Sequence, residues 1–187
     1  MGIDNIWVFA EAADGAPTSA TLELLTKARS LGTASAFVVG DGTAIAGTLG
    51  EYGAAKVYST GDLGGALPGI AGAAAMQAVI DGGDVPDVIM FPQNYSGRDV
   101  MSRLSVKLDR TVLTNNVEIA VEGDALKVTT PVFGGETMVT TSFTGEGPYL
   151  AAFRPKSFEP TAGDSAAGEV VSAAVPDLGA AGAAKVT

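Results

Sequence analysis

The chain has 187 residues, enough for one domain and a tail, and carries 11 basic against 21 acidic side chains for a formal net charge of −10. It contains no cysteine and no histidine. That excludes disulfides, thiolate chemistry and Cys-ligated metal sites, and removes the usual general base, the Ser-His triad and the commonest metal ligand.

At the N-terminus, "MGIDNIWVFA" has no basic n-region and enters a strand pattern directly, so neither a signal peptide nor a mitochondrial transit peptide is expected. "IWVFA" (6–10) is a continuous apolar run, as in a strand covered on both faces. After the loop "EAADGAP", residues 18–31 place Leu22, Leu25, Ala28 and Leu31 on one helical stripe ending at Gly32. "SAFVV" (35–39) and "AKVYS" (55–59) are further buried strands, separated by a short helix over 43–52. The longest apolar run, "ALPGIAGAAAMQAVI", is broken by Pro68 and glycines and is short for a membrane span. It reads as an Ala-rich helix over 66–81, stopped by Gly82-Gly83. "DVIMF" (87–91) is a fourth strand and residues 97–108 a fourth helix.

From residue 112 the rhythm changes. "EIAVEGDALKVTTPVF" forms a hairpin around Glu122-Gly123-Asp124, "TMVTTSF" alternates weakly, and "YLAAF" is another short strand. The expected fold class is therefore α/β and three-layer. Its sheet is mostly parallel (Rossmann-like, adenine-nucleotide-hydrolase-like), with an appended antiparallel hairpin that would make the sheet mixed. Residues 1–158 form the α/β unit. Residues 159–187 form an Ala/Gly-rich tail or linker too thin to order itself, with one strand at 169–175. The chain ends as though within a linker.

In open α/β sheets, ligands sit beyond the carboxyl ends of the strands. Those ends supply Glu11, Gly40 and Gly42 of "GDG", Gln93, Asn94 and Arg98. Glu11 would meet a ribose, the glycines would admit phosphate to the backbone, and Arg98 would be the counter-charge. Polar, glycine-containing loops occur at strand ends in any such fold, and "GDGTAI" lacks the third glycine of a dinucleotide fingerprint. Ser96, three residues before Asp99, has capping-box spacing and would start the fourth helix. Arg98 then stands at the positive end of the helix dipole and calls for an anionic partner, in Glu11, in another local carboxylate or on a second protein. Asp81, Asp84 and Asp87 recur every third residue, a poor match to the alternate-position carboxylates of Ca²⁺ loops, and read as a solvated turn. No metal site is expected. Neither is nucleic acid binding, because the acidic balance repels phosphate backbones.

"FAEAADGAPTSATLELLTKARSLG", "YGAAKVYS", "PDVIMFPQNYSGRDVMSRLSVKLD", "TPVFGGETMVTT" and "AAFRPKSF" follow one another in the order and spacing of the electron transfer flavoprotein α subunit. The resemblance covers residues 3 to about 175. It departs at Thr130, where the family usually has Arg, and at Glu136, where it often has Asn. The resemblance implies a two-domain protein whose second domain holds flavin adenine dinucleotide (FAD). The Gly-Gly-Arg-Gly and Gln-Thr-Gly-Lys motifs of that domain do not occur here. What is present looks like the first domain, expected to bind no cofactor itself. It would pack on the β subunit, support the FAD domain and serve dehydrogenases through the complex, in the bacterial cytoplasm and off the membrane. Arg98 and Arg154 are its candidate interface cations, and it has no catalytic residue to assign. With its partner missing, exposed apolar surface could drive homodimers. The alternative is a stand-alone adenine-nucleotide-binding module using Glu11, Gly40, Asn94 and Arg98.

Overall fold

The computed structural model describes residues 2–164 and 166–185. Its first half runs β1 (Asn5–Ala10), β2 (Ala12–Ala13), β3 (Ala16–Pro17), α1 (Ser19–Arg29), β4 (Thr33–Val38), a 3₁₀ turn leading into α2 (Ala46–Glu51), β5 (Ala54–Ser59), α3 (Pro68–Asp81), β6 (Val88–Pro92) and α4 (Tyr95–Leu108). The second half runs β7 (Val112–Asn116), β8 (Glu118–Glu122), β9 (Ala125–Val132), β10 (Thr137–Ser142), β11 (Tyr149–Phe153) and β12 (Glu169–Ser172). Seven strands form one sheet in the order β12-β5-β4-β1-β6-β11-β7, and β10-β9-β8 form a second.

The apolar runs become central strands because both faces of the large sheet are covered. Ile6, Val8 and Ala10 pack with Leu24, Leu25 and Ala28 of α1 and Leu49 of α2. Trp7 and Phe9, on the alternate face, pack with Ala73 and Met76 of α3 and Val100, Met101 and Leu104 of α4. This gives the three layers expected. On α1 the buried stripe is Leu24, Leu25 and Ala28, while Leu22 sits at its edge.

The hairpin strands do not join the parallel sheet, so the expected mixed sheet is not formed. Every pairing in the seven-stranded sheet is parallel. The slot beside β6 is taken by β11 and then by β7, a strand that the polar "VLTNN" did not announce. The antiparallel sheet instead lies on the α1 side. Its Ile119, Leu126 and Val128 close the core over Met90 and Phe153. The segment read as the loop "EAADGAP" contains the small β2–β3 hairpin, turning at Asp14-Gly15, where both residues have positive φ.

The Ala/Gly-rich segment is not a free tail. β12 pairs with the edge strand β5, and Ala173 is buried. A side chain at Gly50 would lie 2.3 Å from the Ala166 carbonyl, and one at Gly168 would lie 2.8 Å from that of Ala54. The small residues that look too thin to order themselves are what let this backbone lie directly on α2 and β5. Arg29 adds a side-chain clasp, donating from Nη2 to the Thr161 carbonyl at 2.6 Å.

Candidate functional site

The strand order reverses at β1: the chain moves outward through β4 and β5, then returns across it to β6. The crevice beyond the carboxyl ends is therefore bounded by Glu11 after β1, Gly40 after β4 and Asn94 after β6.

The structure brings Glu11 and Asn94 together. Asn94 Nδ2 donates to the Glu11 carboxylate. The Asn94 Oδ1 accepts from the Gly97 amide at 2.8 Å and so caps α4. The helix thus starts at Tyr95, and Asn94 is its cap in place of Ser96. Asp99 lies one turn in and pairs with Arg103 at 2.7 Å across an i,i+4 step. Glu11 is held further by Thr21, whose hydroxyl accepts from the Glu11 amide at 2.8 Å and donates to its carbonyl at 3.1 Å.

The glycine loop is also internally bonded. The Gly40 amide donates to Thr60 Oγ1 at 2.8 Å and the Gly42 amide to Ser59 Oγ at 3.0 Å. Both amides that would cradle a phosphate are engaged by β5 and the residue after it. Arg98 lies exposed on the first turn of α4. Its Nε donates to the Asn94 carbonyl at 3.1 Å, and its guanidinium lies 5.3 Å above the Tyr95 ring. Among the described residues no carboxylate pairs with it; the aromatic face takes that place.

A second network ties the two sheets together at the same end. Gln93 Oε1 accepts from the Asn115 amide at 3.1 Å, and Asn115 Oδ1 accepts from Arg154 Nε at 2.6 Å. Asn116 is fully buried. Its Nδ2 donates to the Leu113 carbonyl at 2.7 Å and the Ala152 carbonyl at 2.9 Å, while its Oδ1 accepts from Thr130 Oγ1 at 2.8 Å. Thr130, one of the departures from the family pattern, thus adds a side-chain hydrogen bond from β9 to the large sheet. Sequence reasoning passed over Asn115 and Asn116. The available signal was an Asn-Asn pair closing a polar strand, with Asn115 at φ 66, a conformation asparagine tolerates.

Beyond Thr130 the β9–β10 connection projects outward. Phe133 has φ 51 and is 81% exposed, and Gly134 and Gly135 follow at φ 72 and 100. A bulky residue held at positive φ is strained, and its ring here faces solvent. Met138 and Val139 of the following strand are exposed as well.

At the amino ends the acidic turn acts as a staple. Asp87 accepts from the amides of Asp4 and Asn5 at 2.8 and 2.9 Å. Asp84 accepts from the Tyr58 hydroxyl, from Lys56 at 3.3 Å and from Asn5 Nδ2 at 3.3 Å. The Tyr58 hydrogen bond, reinforced by Lys56, holds the Asp84 carboxyl below the usual carboxylate range, against an opposing contribution from burial. Burial first, and the Asp84 bond second, push the Tyr58 phenol well above its ordinary value. Among the described residues no His/Cys/Asp/Glu group could hold a metal ion.

A concavity of about 810 Å³ lies between α3, α4 and the segment near Leu178, with Ile70, Ala74 and Val106 among its lining. Its rim mixes Asp81, Asp99 and Asp177 with Arg103 and Lys107, so it selects neither charge.

Comparison with known proteins bears on which of these features carries function. Residues 6–178 match the electron transfer flavoprotein domain family. The chain is 32% identical over 171 residues to the electron transfer flavoprotein subunit alpha of Syntrophomonas wolfei, covering 90% of this chain and 53% of that protein. It is 31% identical over 177 residues to the subunit alpha of Mycobacterium tuberculosis, covering 92% and 54%. With that of Clostridium acetobutylicum it shares 30% over 163 residues, covering 83% and 48%. The chain thus spans about half the length of the curated relatives it matches.

Proposed function

The chain belongs to the electron transfer flavoprotein family, and on that premise we propose that it is the non-catalytic scaffold domain of an α-type subunit. In this reading the α/β unit, with β12 as the outer strand of its sheet, is the docking unit. The segment that follows β12 leads toward the FAD domain that such a subunit carries, and flavin is held by the assembled protein. The β subunit is the partner, and dehydrogenases reach the flavin through the complex. The relatives are bacterial, and among the described residues no helix is long and apolar enough to cross a membrane. A cytoplasmic location accords with both.

The observation that carries the reading is the outer strand of the small sheet. β10, "TMVTTS", is an edge strand of six residues with no charge and no proline. Edge strands that must stay free are normally protected by such residues. Beside it stand the exposed Phe133, Met138 and Val139, an apolar set anchored to the large sheet through Thr130 and Asn116. A strained, solvent-facing phenylalanine next to an unprotected edge is what a subunit interface presents when its partner is absent. Arg154, oriented by Asn115 with the rest of its guanidinium exposed, is the interface cation in this reading.

The nucleotide reading is weaker on the same geometry, because the Gly40 and Gly42 amides and the Glu11 carboxylate are already bonded within the chain. The test is co-elution with the cognate β subunit in size-exclusion chromatography, beside calorimetry with AMP and FAD. Co-elution without heat supports the scaffold. AMP binding abolished by Arg98→Ala supports the nucleotide module.

A further inference from the structure

We propose that Met138 is a peroxide-oxidisable site whose sulfoxide weakens docking of this face on the β subunit. The inference rests on the docking reading for its consequence, and on burial alone for its selectivity.

Oxidation of side chains by peroxide falls mainly on sulfur, and this chain has no cysteine. Its thioethers are sharply divided. Met76 and Met90 are 0% exposed, Met101 is 2% exposed, and all three lie in the core between the large sheet and its helices. Met138 is 55% exposed at the second position of the edge strand, opposite Pro131 of β9. Among the described residues it is the one methionine that solvent peroxide reaches without unfolding. The thioether sulfur attacks one peroxide oxygen. The O–O bond breaks, an S–O bond forms and water leaves, so sulfur loses the two electrons that reduce the peroxide. A methionine sulfoxide reductase reverses the step.

The product matters because of where it sits. A sulfoxide is polar and chiral where the thioether was apolar and adaptable. Placed on the uncharged edge strand that follows Phe133, it brings a strong acceptor into a surface that docking would desolvate. Docking in turn covers Met138, so partner and peroxide compete for the same side chain. Before docking the side chain stands open to solvent, so an unpaired subunit is the species that is marked.

The experiment exposes the whole chain to millimolar hydrogen peroxide, maps each methionine by peptide mass, and then mixes the chain with the β subunit. We expect Met138 to gain one oxygen at least about tenfold faster than Met76, Met90 or Met101, with an unchanged thermal melt. Oxidised chain should co-elute at least about fivefold less, and Met138→Leu should co-elute equally before and after peroxide. Equal oxidation of Met138 and the buried methionines overturns the proposal, as does undiminished co-elution of the Met138 sulfoxide. If untreated chain never co-elutes, the docking reading and the switch fall together. If it co-elutes but Met138 resists peroxide, the switch alone falls.

Discussion

The Asn94 side-chain amide donates to the Glu11 carboxylate while its oxygen caps α4 at the Gly97 amide, so one residue fastens the fourth helix to the end of β1. This pair bridges two of the strand ends that bound the crevice at the strand reversal. Asn94→Ala removes both bonds, and a lost N-cap alone costs about 1 kcal/mol. In a domain of this size each kcal/mol lowers the melting temperature by about 2–4 °C. A drop of that order or somewhat more is expected in a thermal melt. Asn94→Asp keeps the cap acceptor but faces Glu11 with a like charge, and should recover little.

Gly97 and Gly69 test close approach at two neighbouring helices. A Cβ on Gly97 would stand 2.1 Å from the Pro92 carbonyl, which belongs to β6 and cannot yield. One on Gly69 would stand 1.8 Å from Asp99 Oδ2, the end of a side chain that can swing away with Arg103. Gly97→Ala is therefore expected to destabilise by about 3 kcal/mol or more and Gly69→Ala by about 1 kcal/mol. Urea denaturation of both variants measures the difference.

Tyr58 and Asp84 set a pH dependence at the opposite end of the sheet. The Asp84 carboxyl is held below its ordinary value of 3.8 in the folded chain. Its contribution is therefore present above that value and is lost as pH falls through the lower folded one. The Tyr58 phenol is raised above 10.0, so its contribution is present below pH 10 and is lost as pH rises beyond it. Asp84→Asn should flatten the acid limb of a stability–pH curve and Tyr58→Phe the alkaline limb. The acid effect should be small, because Asp84 is part-exposed and well screened. The alkaline effect should be the larger, because the burial of Tyr58 is the first cause of its shift.

Asn116 carries more than any other polar group at the junction of the two sheets. Asn116→Ala leaves the buried Ala152 carbonyl and the part-buried Leu113 carbonyl and Thr130 hydroxyl short of a partner, an expected cost of about 1–3 kcal/mol. Thr130→Val removes one of those bonds and should cost about 1 kcal/mol. A double mutant that costs less than the sum would confirm that the two residues act together.

The strands whose apolar runs are covered on both faces, β1, β4 and β6, were legible in sequence because their burial is nearly complete, and β5 was legible from its buried Val57 and Tyr58 although Ala55 and Lys56 are exposed. β7 was not, since its residues are mostly half-buried and its closing Asn115-Asn116 reads as a loop. The destination of the antiparallel strands was equally hidden. Which sheet a hairpin joins depends on whether β11 fills the slot beside β6, a long-range choice with no local signal. Of the candidate site, the pairing of Glu11 with Asn94 was within reach as two polar residues at adjacent strand ends. The engagement of the Gly40 and Gly42 amides was not, because Ser59 and Thr60 come from a different strand. Ser96 had capping spacing but lost to Asn94. Gly97 can lie against the Pro92 carbonyl only if the helix begins earlier. Phe133 could be read as part of a motif, but its exposure and positive φ are properties of the folded hairpin.

Size-exclusion chromatography of the chain with its cognate β subunit, run for wild type and for Phe133→Ser, tests the central claim most directly. The account predicts a one-to-one complex with wild type and its loss with Phe133→Ser, both chains being folded alone. No complex with wild type, or a complex indifferent to Phe133→Ser, Met138→Gln and Arg154→Ala alike, would contradict it.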